Sequence, residues 1–195
     1  MKEEVNLYKI LRPILAFLIR ILYWPIIIGK ENIPASGKCL LAGTHIYDFD
    51  PILIMASTKR NVYFIAKKEL HDSKLGFIFK ACGTIPVDRS KKNPNARIKA
   101  EEALNEGKII GIFPEGTTKK KKGVLLPFKY GAVSMANKTN AYIVPFGITG
   151  DYSFRSKNLI IRFGKPFKVS DDLEKANKKL YKEVEKLMKE NLKED

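Results

Sequence analysis

Cysteine is scarce in this chain of 195 residues: there are two, Cys39 and Cys82, each inside an apolar stretch. No C-x-x-C pair exists, which removes the usual zinc and dithiol signatures, and two thiols so placed read as buried and free. A reducing setting and no metal site are expected. Acidic residues are outnumbered, with 21 Asp and Glu against 36 Lys and Arg, a formal net charge of +15. That balance favours an anionic partner: nucleic acid, an acidic membrane surface, a phosphorylated substrate or an acidic carrier protein. Charge alone does not choose among them. Also missing is an apolar run long enough to cross a bilayer. Between Arg12 and Gly29 the chain is almost wholly apolar, but Arg20 interrupts it and Pro13 and Pro25 break it, where a span needs about 20 uncharged residues. A signal peptide is not expected either, because Glu3 and Glu4 replace the basic start and no small-residue cleavage site follows. Repeats, low-complexity linkers and a second compositional block are absent.

What is present is an alternation of apolar strands and amphipathic helices. Strands are predicted at Lys38–Ala42, Asn61–Ala66, Ile85–Val87, Lys108–Phe113, Ala141–Ile148 and Leu159–Phe163. Helices are predicted at Pro51–Ser57, Ser73–Ala81, Pro94–Glu106, Tyr130–Asn137 and Asp171–Leu192. Around the third of these, Asn93 suits the cap, Pro94 the first turn and Gly107 the position past the end. The last opens on Ser170-Asp171-Asp172 and carries Leu173, Ala176, Leu180, Val184 and Leu187 on one stripe. Its lysines form a solvated face. The expected fold is a single α/β domain with a mostly parallel, mixed sheet covered by helices.

The N-terminus, residues 1–28, is expected to be a separate amphipathic helix, with the main domain at 29–195. At about 100° per residue Leu7, Ile10, Leu11, Ile14, Leu18, Ile21 and Leu22 share one face, with Lys9, Arg12 and Arg20 behind it. An apolar stripe backed by basic residues is the pattern of a helix lying in a membrane interface, where Tyr23 and Trp24 would suit the headgroup region. Apolar residues continue past that stripe at Phe17 and Ile19. An amphipathic helix packed on the domain's own core has a similar pattern.

The chemistry-bearing feature is Thr44-His45-Ile46-Tyr47-Asp48-Phe49-Asp50-Pro51, directly after the apolar strand at Cys39–Ala42. A histidine and an acid at a strand-to-helix turn converge on a cleft. Histidine takes a proton near pH 7, and a carboxylate fixes its tautomer, so the pair activates an alcohol without a serine or cysteine nucleophile. Asp50 before Pro51 is equally a good helix N-cap. A second pair, His71-Asp72, has no motif around it and reads as surface.

Three further segments follow: Gly83-Thr84-Ile85-Pro86-Val87-Asp88-Arg89, Ile112-Phe113-Pro114-Glu115-Gly116-Thr117-Thr118 and Ile143-Val144-Pro145-Phe146-Gly147. In this order, after His45-x-x-x-x-Asp50, they resemble the four motif blocks of the glycerolipid acyltransferase family, which includes the 1-acyl-glycerol-3-phosphate (lysophosphatidate) acyltransferases. Landmarks at Gly29–Pro34, Phe64–Leu70, Phe128–Gly131 and Phe163–Phe167 agree, and the resemblance runs from about Gly29 to Phe167. It implies an enzyme that moves a fatty acyl group from acyl carrier protein or coenzyme A to the sn-2 hydroxyl of lysophosphatidate, giving phosphatidate. His45 would be the base and Asp50, rather than Asp48, its partner. Arg89 would bind the acceptor phosphate through its guanidinium fork, assisted by Lys67. Glu115 would accept from a glycerol hydroxyl or hold Arg89, while Gly116 and Thr117 supply donors. No cofactor is implied beyond the acyl donor. The partners implied are a membrane lipid surface at the cytoplasmic face, held peripherally or monotopically, a lysophospholipid, and an acyl carrier protein. No nucleic acid is implied.

The chain departs from the family pattern at three places. Thr44 stands where Asn is common, Tyr47 where Ser is frequent and Thr118 where Arg is frequent. The last removes a phosphate ligand, for which Lys119 or Lys120 could compensate. That keeps other acceptors open, namely glycerol-3-phosphate, another lysophospholipid or an amino-acid lipid. The run Lys119–Lys122 is a solvated loop or a contact for a carrier protein, coenzyme A phosphates or anionic lipid. A basic nucleic-acid-binding module accounts for the charge but not for the ordered motifs. A catalytically dead membrane-surface protein conflicts with the intact His45–Asp50 spacing.

Overall fold

Every residue of Cys39-Leu40-Leu41-Ala42 is apolar, so both sides of this strand need a cover. A computed structural model describes residues 2–72, 76–81, 83–87, 95–118, 121 and 123–193, with the side chains of 2–7, 67, 70, 78, 79 and 81 left aside. Its strands are β1 (Ile26–Ile28), β2 (Cys39–Gly43), β3 (Val62–Lys67), β4 (Ile85–Val87), β5 (Ile109–Ile112), β6 (Tyr142–Thr149), β7 (Ile160–Phe163) and β8 (Phe167–Lys168). They form one sheet in the order β1-β7-β6-β2-β5-β3-β4, with β8 also paired to β6. The pairings of β2 with β5 and β6, and of β3 with β4 and β5, are parallel. β7 and β8 run antiparallel to β6, and β1 runs parallel to β7. The mostly parallel, mixed sheet expected from the sequence is therefore the observed one.

Alternate residues along each strand feed two separate cores. Cys39 and Leu41 join Val62, Phe64, Val144 and Phe146 beneath α1 (Lys2–Tyr23) and α2 (Asp50–Ser57). Leu40 and Ala42 join Ile110, Ile143 and the buried faces of α5 (Asn95–Asn105), α6 (Gly131–Thr139) and α7 (Leu173–Asn191). The short helices α3 (Lys68–His71) and α4 (Gly76–Ala81) link β3 to β4. Asp172 caps α7 by accepting from the Lys175 amide at 2.9 Å, and Gly107 ends α5 at φ +79°, as their sequence contexts indicate. Burial pushes the free Cys39 thiol up to about 12, so it is inert. Cys82 lies outside the described residues.

The N-terminal segment differs from expectation in two respects. The helix ends at Tyr23, not at residue 28. Pro25 has no amide proton and disfavours helical backbone at Trp24, which takes φ +44° instead. The chain then enters β1, where Ile26 donates to Leu159. Two of the three basic residues behind the apolar stripe are also bonded to the protein's own backbone, while Lys9 is exposed. Arg12 donates to the Thr58 carbonyl and Arg20 to the Ala56 carbonyl at 2.9 Å. They satisfy carbonyls that the end of α2 leaves without helical partners. Tyr8 and Ile19 are buried on this inner face, and the Tyr8 hydroxyl exchanges hydrogen bonds with the backbone of Val62. The opposite face, with Ile10, Ile14, Phe17, Leu18 and Ile21, lies exposed, Phe17 at 62%. No described helix is long and apolar enough to cross a membrane.

At the end of β2 the backbone approaches β6 closely. A β-carbon at Gly43 would lie 1.9 Å from the Phe146 carbonyl oxygen, whereas one at Gly131 would meet nothing nearer than 3.8 Å. Gly43→Ala should therefore cost about 1–3 kcal/mol of stability. Gly131→Ala, at the start of α6, should be neutral or gain up to about 1 kcal/mol. Equilibrium urea denaturation of the two variants beside the wild type checks both.

Candidate active site

The parallel strands β2, β3, β4, β5 and β6 end on one edge of the sheet, where open α/β folds place ligands. His45 follows β2 and Glu115 follows its neighbour β5. Lys67 is the last residue of β3 and pairs with Val87 at the end of β4. The Lys67 side chain and all of Arg89, two residues beyond β4, lie outside the described residues.

The turn after β2 begins at Thr44, which is fully buried. Its hydroxyl accepts from the Ile148 amide at 2.7 Å and faces the Ile148 carbonyl at 3.4 Å. The residue that replaces a common Asn thus locks the end of β2 to β6. His45 Nδ1 then meets Asp50 Oδ2 at 2.8 Å. Asp50 has no exposed surface, and the same oxygen accepts from the amides of Ile46 at 2.6 Å and Tyr47 at 2.9 Å. Its other oxygen, Oδ1, accepts from the Tyr152 hydroxyl at 2.7 Å. Asp50 therefore does not serve as an N-cap. It is the first residue of α2, and its side chain turns back into the 45–47 turn, while Phe49 occupies the cap position without a side-chain bond.

With Nδ1 against a carboxylate, that nitrogen is assigned the proton, leaving the Nε2 lone pair to accept one. Ring orientation is held by stacking. The imidazole lies on Phe113 with centroids 3.9 Å apart at 13°, and Phe113 in turn stacks on Phe64 at 5.9 Å. The His45 side chain remains 18% exposed, enough to meet a substrate from the open edge.

Glu115, 4% exposed, faces the histidine turn from β5. One carboxylate oxygen accepts from the His45 amide at 3.0 Å and the other from the Leu126 amide at 2.9 Å. Through these bonds Glu115 joins the β2 turn, the end of β5 and the loop at 123–130. Gly116 turns the chain at φ +72° and donates to Phe113 at 3.0 Å. The ammonium of exposed Lys129 lies against it, 2.9 Å from where a β-carbon would be. Thr117 and Thr118 are half-buried beside this turn. Lys119 and Lys120 lie outside the described residues.

Reasoning from sequence missed three contributors. Phe113 reads as the end of an apolar strand; only the pairing of Ala42 with Ile112 brings it beside the histidine turn. Lys129 sits in a recognised landmark without a chemical role attached. Tyr152 lies in a loop with no motif at all. His71, the last residue of α3, is not a surface residue but 8% exposed, because its Nε2 is turned to the Thr84 hydroxyl at 2.7 Å, just ahead of β4. Among the described residues no group of three His, Cys, Asp or Glu side chains could hold a metal ion.

A family model described as Acyltransferase matches residues 25–149, well over half of the chain. The chain belongs to the acyltransferase family. The match begins at Pro25, just ahead of β1, and ends with β6 at Thr149. A 1-acyl-sn-glycerol-3-phosphate acyltransferase of Bacillus subtilis is 32% identical over 149 residues, 73% of this chain and 73% of that protein. Another, from Borreliella burgdorferi, is 32% identical over 142 residues, 71% of this chain but 56% of its own length. The fold is that of the crystal structure of the 1-acyl-sn-glycerophosphate (LPA) acyltransferase PlsC from Thermotoga maritima. The TM-score is 0.73, with 24% identity, over 85% of this chain and 71% of that one.

Because Glu115 accepts from two backbone amides, Glu115→Gln sets an amide NH2 against one of these donors. This acyltransferase should lose about 1–3 kcal/mol of stability in that variant. Slowed exchange of the His45 and Leu126 amides should be lost with it. Urea denaturation and hydrogen exchange read the two effects, and unchanged protection at both amides would contradict the assignment.

Proposed function

We propose that this protein is an O-acyltransferase that moves a fatty acyl group from a thioester donor to the sn-2 hydroxyl of lysophosphatidate. The observation that carries the reading is the His45–Asp50 contact at 2.8 Å with Nε2 left to take a proton. His45 Nε2 removes the proton of the acceptor hydroxyl as its oxygen attacks the acyl carbonyl. The C–O bond forms, a tetrahedral intermediate collapses, and the C–S bond of the thioester breaks. The proton held by the imidazolium passes to the departing thiolate, and Asp50 stabilises the imidazolium in between. No acyl-enzyme is required, since the substrate hydroxyl is itself the nucleophile. The relatives' names and the ordered motif blocks support lysophosphatidate as acceptor and phosphatidate as product.

Arg89 is the reading's principal phosphate ligand, assisted by Lys67, with Gly116 and Thr117 as donors and Glu115 accepting from a glycerol hydroxyl or holding Arg89. Lys129, whose ammonium lies against Gly116, supplies a cation on the side where Thr118 replaces a frequent arginine. The donor is acyl carrier protein or coenzyme A, either of which presents negative charge to a basic protein. The enzyme works at a membrane surface, at its cytoplasmic face. The exposed Ile10, Ile14, Phe17, Leu18 and Ile21 face of α1 supports peripheral docking. Trp24 at the helix end, with Arg155 and Lys157 each about 5 Å from its ring, adds an aromatic and basic edge.

Purified protein in vesicles with lysophosphatidate and an acyl thioester should form phosphatidate. His45→Ala should lower the rate by about 10²–10⁴-fold with the thermal transition preserved; full activity in that variant rejects the mechanism. Glycerol-3-phosphate and other lysophospholipids, offered in competition, test the acceptor. Ile14→Ser combined with Phe17→Ser should weaken sedimentation with anionic vesicles by roughly tenfold or more without lowering the unfolding temperature. Undiminished binding removes α1 as the docking face.

A further inference from the structure

Asp50 is a buried carboxylate whose two oxygens are held unequally. Oδ2 is gathered into the catalytic turn by Ile46, Tyr47 and His45. Oδ1 accepts from one donor among the described residues, the Tyr152 hydroxyl at 2.7 Å, across 102 positions of chain. We propose that Tyr152 is a positioning residue for the His45–Asp50 pair: its hydroxyl holds the outer oxygen, so that the inner one stays aligned with Nδ1.

The geometry of the phenol supports more than a packing role. Its ring is fixed on three sides, edge-on to Tyr23 at 5.2 Å and to Phe49 at 6.1 Å and tilted against Tyr47 at 5.3 Å. The hydroxyl is thus aimed rather than free to rotate away. Burial first, and then the charge of Asp50, push the phenol well above its ordinary value. It therefore keeps its proton and acts as a donor. Removing the donor leaves a carboxylate oxygen with no protein partner in a site without solvent exposure, a strongly unfavourable state. The carboxylate relieves it by rotating about its Cβ–Cγ bond, which moves Oδ2 away from Nδ1 and loosens the imidazole. Tyr152 lies beyond the matched family segment, which ends at Thr149. It touches no reacting atom and acts through Asp50. The inference rests on the reading of His45 as the base.

Tyr152→Phe keeps the ring and its three aromatic contacts and removes only the donor. We expect kcat to fall roughly 10–100-fold while the acceptor KM stays within about twofold, since the residue does not bind the acceptor. In an Asp50→Asn background the same change should cost less than about twofold, because its effect passes through the carboxylate. A kcat of Tyr152→Phe within about twofold of wild type, with the thermal transition intact, overturns the inference. So does an undiminished cost in the Asp50→Asn background. Should Phe impair folding, 3-fluorotyrosine at 152 keeps the ring and alters the acidity of the hydroxyl. A changed kcat at constant KM then supports the role, and an unchanged one refutes it. His45→Ala, assayed alongside, separates the two levels. Activity in that variant removes the base and this inference together, whereas an inactive His45→Ala beside an unimpaired Tyr152→Phe removes the inference alone.

Discussion

A carboxylate with no exposed surface is the constraint around which the site is built. Buried charge is tolerated only where hydrogen bonds replace its hydration. Asp50 receives two backbone amides, an imidazole N–H and a phenol O–H. Three of those donors come from the five residues before it, so the 45–50 turn must wrap around the acid for the acid to exist there at all. The arrangement that makes Asp50 tolerable is the one that orients His45. Stability of the turn and competence of the pair are therefore the same interaction seen from two ends.

The sheet explains why this turn is rigid. β2 lies in the middle of the sheet, between β5 and β6, and its last residues are tied on both sides. Thr44 is bonded to Ile148 of β6, and the His45 amide is bonded to Glu115 just past β5. Gly43 lets β2 and β6 close to a distance that no side chain would allow. A second buried carboxylate, Glu115, thus repeats the device used by Asp50: backbone amides hold an acid, and the acid holds a loop. Between these ties the imidazole has Phe113 on one face. The ring is left with little freedom beyond exchange of a proton at Nε2, as the proposed general base requires.

How far this was legible in the sequence depended on range. The strands of the central sheet could be read because their apolar runs are local, and His45 and Asp50 because five residues separate them. β1 was missed: Ile26–Ile28 is three residues long and continues an apolar stretch, so only its pairing with β7 distinguishes it. Phe113 and Tyr152 were missed for another reason. Each is ordinary in its own neighbourhood and reaches the His45–Asp50 pair only through register or a crossing of the chain. Glu115 could be picked out by motif, yet its hydrogen bonds to amides 70 and 11 positions away could not. His71 was misread because a local neighbour, Asp72, suggested an exposed pair, while its partner Thr84 lies 13 residues on.

The first helix shows the same limit in a form that bears on the membrane. Its apolar stripe backed by basic residues allows either an interfacial helix or a core helix, and periodicity does not separate them. In the fold, one face is committed inward: Tyr8 and Ile19 are buried, and Arg12 and Arg20 terminate α2. The arginines that would have marked a headgroup-facing side are therefore spent on backbone carbonyls. What remains outward is a row of large apolar side chains, Ile10, Ile14, Phe17, Leu18 and Ile21, the kind of patch that marks an interaction site. Through α2 the same helix is bound to the element that begins with Asp50, and through Tyr23 it touches Tyr152. The face proposed to dock on a bilayer and the acid that orients the proposed base are consequently two sides of one packed unit. A lipid acceptor reaching the histidine from the membrane would meet a base already fixed in place.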